Sequence, residues 1–253
     1  MNHQLSDLPE HHHPFDYPLE LPLYSAAHIV TAPVLVVAPH PDDETLGCGG
    51  AIAELRALRL PVWILVISDG TMSHPNSVAY PAPKLRALRA AETQRAMHLL
   101  GVDAANITFL QLPDGALPLP ESPDFTPALE QCCCYLFNLA PNLIFVPWRF
   151  DPHPDHQATW HLISCALQRC HLQPRLIEYP IWSWDIAQRY SHKLPIIQWR
   201  LNISNVSSIK QQAIAAYRSQ TTSLIHDDPQ GFCLTPQMLT NFAHDWELYF
   251  EEE

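Results

Sequence analysis

Short apolar runs rich in β-branched residues alternate along this chain with longer amphipathic stretches. The apolar runs have the length of buried strands. They predict strands at residues 33–38, 62–68, 106–112, 143–148, 176–179 and 196–203. The amphipathic stretches predict helices at residues 46–58, 84–100, 125–139, 156–170 and about 205–218. Such alternation is typical of an α/β fold in which helices cover both faces of a mostly parallel sheet.

The residues at the ends of two helices support these boundaries. Gly101 follows the apolar positions of residues 84–100 and is expected to end that helix as a C-cap. Ser204 precedes the last helix and is expected to be its N-cap. The glycines at residues 47–50 resemble a nucleotide-binding turn, but their spacing is wrong for one and the preceding carboxylates would repel a pyrophosphate. We expect them to allow close packing instead.

The pattern predicts a Rossmann-like, three-layer fold with central strand order 3-2-1-4-5 and additional strands. In this order, strands one and four are neighbours at the topological switch point, and ligands bind outside their carboxyl ends. Residues 40–44 follow strand one, and residues 151–156 follow strand four. The fold therefore brings together two segments that lie more than 100 positions apart in the sequence.

Length and composition favour one domain. The chain has 253 residues and 47% hydrophobic content, enough for a single sizeable core. Residues 1–30 are rich in proline and histidine and lack periodicity, so we expect an extended N-terminal arm. Residues 31–253 are expected to form the domain.

Charge and cysteine usage narrow the function classes. The net charge of −12 argues against nucleic acid or an anionic membrane as a partner. No apolar run approaches the roughly 20 residues that a transmembrane helix needs, and no signal pattern opens the sequence. Seven cysteines without a C-x-x-C pair suggest reduced thiols and a cytoplasmic protein. The run Cys132-Cys133-Cys134 is expected to pack in a helix, and a homo-oligomer is left open.

The two segments after strands one and four carry metal-binding residue types. One holds His40, Asp42, Asp43 and Glu44, and the other is Asp151-Pro-His-Pro-Asp-His. Massed carboxylates repel one another and lose hydration at a strand end, and a cation relieves both costs. A structural zinc site would normally be rich in cysteine, whereas catalytic zinc takes imidazole and carboxylate ligands and keeps one position for water.

Spacing assigns roles to these residues. His40 and Asp43 lie three positions apart, so one turn can direct both at a single ion, and His156 supplies a third ligand from a helix N-terminus. Asp42 is left beside the water as a general base. His153 can donate to a developing oxyanion, with Asp155 holding it charged and oriented.

Three motifs together resemble the PIG-L/LmbE-like family of zinc-dependent N-deacetylases. They are Ala38-Pro-His-Pro-Asp-Asp-Glu44, Leu46-Gly-Cys-Gly-Gly50 and His153-Pro-Asp-His156. The resemblance covers roughly residues 33–220. It implies zinc as the cofactor and removal of an acetyl group from an N-acetylglucosamine-type unit of a small or lipid-linked conjugate.

The resemblance also implies site residues. It carries the same ligands, base and oxyanion partner, and it assigns Arg89, Asp114 and Gln220 to sugar binding. Each of these three has an alternative: Arg89 can pair with Glu92 on its helix, Asp114 can cap a Pro-Asp-Gly turn, and Gln220 can be a solvated helix end. Some relatives carry a tyrosine where this chain has Asp151, so a tyrosine-assisted step is not expected here.

The substrate beyond the sugar is not predicted. Trp148, Trp182 and Trp184 can serve as sugar-stacking platforms or as packing residues. Two other function classes remain open: a zinc amidase or esterase acting on a non-sugar substrate, and a catalytically idle sugar-binding module. Asp42 argues against the idle module, because sugar binding alone does not require a base.

Overall fold

The computed structural model describes residues 18–184 and 196–252. The strands are β1 Leu23–Tyr24, β2 Val34–Ala38, β3 Val62–Ser68, β4 Ile107–Leu112, β5 Leu143–Pro147, β6 Arg175–Tyr179, β7 Ile196–Asn202 and β8 Trp246–Glu252. The α-helices are α1 Asp43–Ala57, α2 Ala82–Leu99, α3 Phe125–Leu139, α4 Pro154–Cys170, α5 Ser207–Ile214, α6 Arg218–Thr221 and α7 Pro236–Thr240. Residues 1–17, most of the expected N-terminal arm, lie outside the described residues.

All eight strands of the described residues form one sheet in the order β1-β7-β8-β6-β5-β2-β3-β4. The five central strands, β4-β3-β2-β5-β6, are parallel neighbours, so the predicted order 3-2-1-4-5 is confirmed. The additional strands extend the sheet beyond β6. Among them, β8 runs antiparallel to both β6 and β7, and the two-residue β1 pairs parallel with β7.

Helices cover both faces of the sheet, which confirms the three-layer arrangement. Successive residues of a strand point to opposite faces, and the alternate residues of β2 accordingly enter two different core clusters. Val34 and Val36 pack in a cluster with residues of α1, α2 and α5, whereas Leu35 and Val37 pack with residues of α3 and α4. Cys132 is buried in the second cluster and Cys133 packs against it, as expected for packing residues.

Two predicted helix boundaries need correction. Helix α1 begins at Asp43, three residues before the predicted start, so this carboxylate lies in the first turn of the helix. The predicted helix 205–218 is divided into α5 and α6, and the N-cap of α5 is Val206 rather than Ser204. Hydrogen bonds tighten to three-residue spacing between the two helices, where the buried Tyr217 donates to Glu44. This tertiary contact overrides the helical pattern.

Glycines allow α1 to approach the sheet, as the sequence predicts. A Cβ atom at Gly47 would collide with the Tyr179 ring, and one at Gly50 would lie 2.5 Å from Ile203 Cγ2. Gly101 adopts φ +82° just after α2, which confirms the expected C-cap. Among the described residues, no helix has both the length and the apolar character that crossing a membrane requires.

Candidate metal centre and substrate cavity

The two polar segments meet at the carboxyl ends of β2 and β5, as the strand order predicts. These strands are hydrogen-bonded parallel neighbours. The loop after β2 carries His40 and Asp42 and leads into α1, while the loop after β5 carries Asp151 and His153 and leads into α4. The ends of both loops are helix N-termini, so the side chains are held by rigid elements.

Three side chains converge on one point. His40 Nδ1 lies 3.1 Å from Asp43 Oδ2, and His156 Nε2 lies 3.3 Å from the same oxygen. Ligand atoms at 2.0–2.1 Å from a tetrahedral zinc ion are about 3.3 Å apart, so these separations match such a centre. A second group, His40, His153 and Asp155, also has ligand atoms within 4.8 Å of one another.

Carboxylates hold the far nitrogens of both imidazoles. His40 Nε2 lies 3.1 Å from Asp114 Oδ1 and 3.1 Å from Asp155 Oδ2. His156 Nδ1 lies 3.3 Å from Asp151 Oδ1, and both side chains of this pair are fully buried. Carboxylates in this position fix the ring orientation and the tautomer of a metal-ligating histidine. They leave His40 Nδ1 and His156 Nε2 for an ion.

The electrostatics of the cluster favour an added positive charge. Burial alone would lower the pKa of His156, but Asp43 and Asp151 outweigh it and raise that pKa to about 9. The pKa of His40 is likewise raised against burial by Asp114, Asp155 and Asp43. Neither ring nitrogen of His156 makes a well-formed hydrogen bond among the described residues. Buried imidazoles, orphaned nitrogens and surplus carboxylates together fit a metal cofactor.

Asp42 and Asp43 have opposite ionisation behaviour. Burial raises the pKa of Asp42 to about 8, and the neighbouring Asp43 and Glu44 raise it further, against the opposing charge of Arg89. Burial also disfavours the charged form of Asp43, but His156 and His40 outweigh it and lower that pKa. Two carboxyls whose pKa values are pushed apart are suited to different tasks.

The backbone of Asp42 is held in an uncommon conformation. Its φ is +133°, a region that residues with a side chain rarely adopt. The Asp42 N–H donates to Glu44 Oε2 at 3.1 Å, and Arg89 Nη2 lies 3.3 Å from Asp42 Oδ2. Such conformations persist where surrounding contacts over-determine them, and they concentrate at functional sites.

The structure corrects the expected pairing of Asp155 with His153. The Asp155 carboxylate contacts His40 and accepts hydrogen bonds from the backbone N–H groups of Gly115 and Leu117. His153 Nδ1 accepts instead from the backbone N–H of Asp155 at 3.2 Å. Burial, together with His156 and His40, lowers the pKa of His153 to about 4. His153 is therefore neutral at neutral pH, with its proton on Nε2.

A cavity of about 430 Å³ opens beside this cluster and is lined by Arg89, Asp114 and Gln220, the three residues assigned to sugar binding. Arg89 is buried and donates to the carbonyls of Gly70 and Pro41 at 3.0 and 2.7 Å. The alternative partner of Arg89, Glu92, accepts from the backbone and hydroxyl of Ser219 instead.

Asp114 and Gln220 both link loops at the cavity wall. Asp114 Oδ2 accepts from the Met72 backbone N–H at 2.7 Å, in addition to its contact with His40. Gln220 is buried rather than solvated, and its amide nitrogen lies 3.3 Å from Ser73 Oγ. Its Oε1 has no hydrogen-bond partner among the described residues, so an acceptor is left in the cavity wall.

Sequence reasoning did not identify two features of the site. Asp151 accepts from the backbone N–H groups of Ile181 and Trp182 at 3.0 and 2.9 Å while it holds His156. Its place in the Asp-Pro-His run was the available signal. Phe232 also lines the cavity, but it lies in a segment without periodicity, so no pattern indicated it. Trp148, a candidate platform, packs in the core against Phe250.

Comparison with known proteins follows the same lines as the geometry. The PIG-L family model, described as GlcNAc-PI de-N-acetylase, matches residues 35–167. A probable N-acetyl-alpha-D-glucosaminyl L-malate deacetylase 2 of Bacillus subtilis (strain 168) is 28% identical over 226 residues, covering 87% of this chain and 94% of the relative.

Two solved structures extend the likeness to three dimensions. N,N′-diacetylchitobiose deacetylase from Pyrococcus horikoshii shares 25% identity and a TM-score of 0.58, covering 82% of this chain and 76% of that chain. A conserved protein from Thermus thermophilus shares 30% identity and a TM-score of 0.56, covering 75% of this chain and 80% of that chain. The motifs, the fold and these matches agree: the chain belongs to the PIG-L (GlcNAc-PI de-N-acetylase) family.

Proposed function

We propose that this protein is a zinc-dependent hydrolase that removes the N-acetyl group from an N-acetylglucosamine-type sugar conjugate. The observation that carries the proposal is the convergence of His40 Nδ1, Asp43 Oδ2 and His156 Nε2 beside a cavity that also exposes Asp42. The names of two relatives, a glucosaminyl malate deacetylase and a diacetylchitobiose deacetylase, support the same substrate class.

The donor set favours zinc over other ions. Two imidazole nitrogens and one carboxylate oxygen are the ligands of many catalytic zinc sites, whereas magnesium and calcium prefer oxygen alone. Zinc in such a site polarises a carbonyl group and makes a water molecule more acidic. His40, Asp43 and His156 hold the ion, and Asp114, Asp155 and Asp151 hold the two imidazoles.

Asp42 acts as the general base in the proposed reaction. It takes a proton from the water whose oxygen attacks the acetyl carbonyl carbon. When the C–N bond breaks, the same proton passes to the departing nitrogen, and the products are acetate and a free amine. The burial that raises the pKa of Asp42 suits a group that must both accept and return a proton near neutral pH.

His153 acts as a neutral hydrogen-bond donor to the carbonyl oxygen as negative charge develops there. The backbone N–H of Asp155 occupies its Nδ1, which leaves the Nε2 proton for this purpose. A neutral donor aimed at developing charge needs no protonation step and works over a broad pH range.

Arg89, Asp114 and Gln220 bind the sugar hydroxyls. The unpartnered Oε1 of Gln220 supports this role most directly, because a buried acceptor without a partner is costly unless a ligand satisfies it. A lipid-linked substrate, a cytoplasmic location and a homo-oligomer stay predictions from the sequence.

The test is release of acetate from N-acetylglucosamine compounds by purified protein, with metal content measured on the same sample. We expect about one zinc per chain, loss of activity on chelation and recovery when zinc is restored. Acetate release that is unaffected when the metal is removed would contradict the proposed mechanism. Failure of the zinc-loaded protein to release acetate from any amino sugar would contradict the proposed substrate class.

A further inference from the structure

The cavity has two chemically different sides. One side carries the histidines and carboxylates of the cluster, and the other is apolar. The apolar side, here called the aromatic wall, consists of Met72, Ile181, Trp182, Phe232 and Leu234. Resting on the proposed function, we infer that the aromatic wall binds the aglycone of the substrate, and that this aglycone is an uncharged ring with an apolar face.

The aromatic wall begins next to the reacting centre. The ring centroids of His40 and His153 are 4.9 Å apart, and the Trp182 ring lies 6.0 Å from His153 at an interplanar angle of 27°. Phe232 meets Trp182 edge-on at 5.4 Å. The rings therefore continue from the cluster into the cavity, where a group attached to the reacting sugar would lie.

Trp182 is fixed relative to the metal centre by a single carboxylate. Asp151 Oδ2 accepts from the backbone N–H groups of Ile181 and Trp182, and Asp151 Oδ1 holds His156. Asp151 is fully buried, so these contacts are not exchanged with water. A platform held in this way loses little entropy when a ring stacks on it.

The Phe232 side of the wall is also held in place. The Phe232 N–H donates to the Ser73 carbonyl at 2.6 Å, and the Leu234 N–H donates to the Gln220 carbonyl at 2.7 Å. Gly231 packs so closely against the His74 ring that any Cβ there would collide with it. The wall is therefore preformed rather than assembled by the ligand.

The charges around the cavity argue against an anionic aglycone. Among the described residues that line it, Arg89 is the one side chain with a fixed positive charge. Its guanidinium is already engaged by two backbone carbonyls and by Asp42. Asp42, Asp43 and Asp114 add negative charge to the same lining. A carboxylate or phosphate on the aglycone would therefore be desolvated without gaining a cation.

A second, smaller cavity continues the apolar surface. It shares Ile181, Trp182 and Leu234 with the main cavity and adds Trp184, Met238 and Phe242. An aglycone that extends past Trp182 thus remains in apolar surroundings. Pyranose rings and aromatic rings both present the flat apolar face that such a surface stacks against.

The experiment compares kcat/KM for acetate release among four N-acetylglucosamine conjugates and the free sugar. The conjugates are N,N′-diacetylchitobiose, the phenyl glycoside, the malate glycoside and the 1-phosphate. We expect each ring-bearing neutral conjugate to exceed the free sugar by roughly three- to tenfold, the gain from one stacked ring. The two anionic conjugates should not exceed the free sugar. The ratio of chitobiose to phenyl glycoside distinguishes a sugar ring from an aromatic ring.

Matched variants locate the effect. Trp182→Ala should remove the preference for neutral ring conjugates, whereas Trp160→Ala, at a half-buried tryptophan outside the cavity lining, should retain it. Trp182→Phe keeps a ring and should retain part of the preference, which separates loss of stacking from loss of folding. Faster turnover of the malate or phosphate conjugate by the unmodified protein would overturn the inference. Acetate release from none of the five compounds would instead refute the proposed function.

Discussion

Asp42 and Asp43 show how strongly surroundings differentiate adjacent identical residues. Asp43 lies between two imidazoles, which stabilise its charge, whereas Asp42 is buried beside two other carboxylates and contacts Arg89. The helix N-terminus starts at Asp43, and the unusual backbone of Asp42 sends the two side chains in different directions. One residue is therefore suited to ion binding and the other to proton transfer.

The first prediction separates these two roles. Asp42→Asn should keep its zinc and lose turnover by roughly 10²–10⁴-fold, because it removes the base alone. Asp43→Asn should lose zinc, and excess zinc should restore part of its activity. Paired metal analysis and kcat measurements decide the matter. If the metal loss followed Asp42→Asn instead, the roles would be exchanged.

The second prediction concerns Asp151, which contacts no substrate in our proposal. Asp151→Asn should weaken zinc affinity by roughly 10–100-fold, because a neutral amide no longer favours the His156 tautomer that leaves Nε2 free. Competition with a chromophoric chelator measures the affinity directly. Asp103→Asn, at an exposed position, is the control and should bind zinc as the unmodified protein does. Unchanged affinity in Asp151→Asn would show that the contact is only structural.

At the scale of elements, α1 connects the metal site to the rest of the fold. Its first turn carries Asp43, and its middle is gripped by Glu247 of β8, which accepts from the backbone N–H groups of Gly50 and Ala51 at 2.7 and 2.8 Å. The close approach of α1 to the segment after β7 requires a glycine at position 50. Displacement of this helix should therefore be felt at the site.

The third prediction tests this packing. Gly50→Ala should destabilise the protein by about 1–3 kcal/mol, because its Cβ would overlap the Ile203 side chain. Combining it with Ile203→Val should recover part of the loss. Ala57→Ser, on the exposed end of the same helix, should change stability by less than about 0.5 kcal/mol. Urea unfolding measures all four variants. Equal losses with and without Ile203→Val would mean that the strain lies elsewhere.

At the scale of the whole molecule, β8 joins parts of the chain that the parallel sheet alone would leave separate. It lies between β6 and β7 and directs Glu247 into a buried ion pair with Lys210 of α5 at 2.7 Å. Tyr249 also donates to Glu247, at 2.8 Å. The pair thereby links α1, α5 and the extended edge of the sheet.

The fourth prediction follows from the burial of this pair. Lys210→Met should cost about 3 kcal/mol of unfolding free energy, because the Glu247 carboxylate would remain buried without its counter-charge. The double variant Lys210→Met/Glu247→Gln should cost less than the sum of the two single changes. Lys84→Met, at an exposed lysine, should change stability by less than about 0.5 kcal/mol. Strict additivity in urea unfolding would exclude coupling between the two buried residues.

The sequence by itself determined the class of fold, the central strand order and the meeting of the two polar segments. These follow from local periodicity and from the handed, short connections of parallel sheets, which depend little on individual contacts. The residue types of an ion site were also legible, because few other uses explain histidines and carboxylates massed at adjacent strand ends.

Only the tertiary structure decided which partner each of those residues takes. The Asp155 carboxylate holds His40 rather than His153, Asp151 connects His156 to the Trp182 backbone, and Phe232 reaches the cavity from a segment without periodicity. The insertion of β8 between β6 and β7 was equally hidden. A hydrogen bond is made or lost within a few tenths of an ångström, and such distances depend on how the whole chain packs. Periodicity along a sequence carries no record of them.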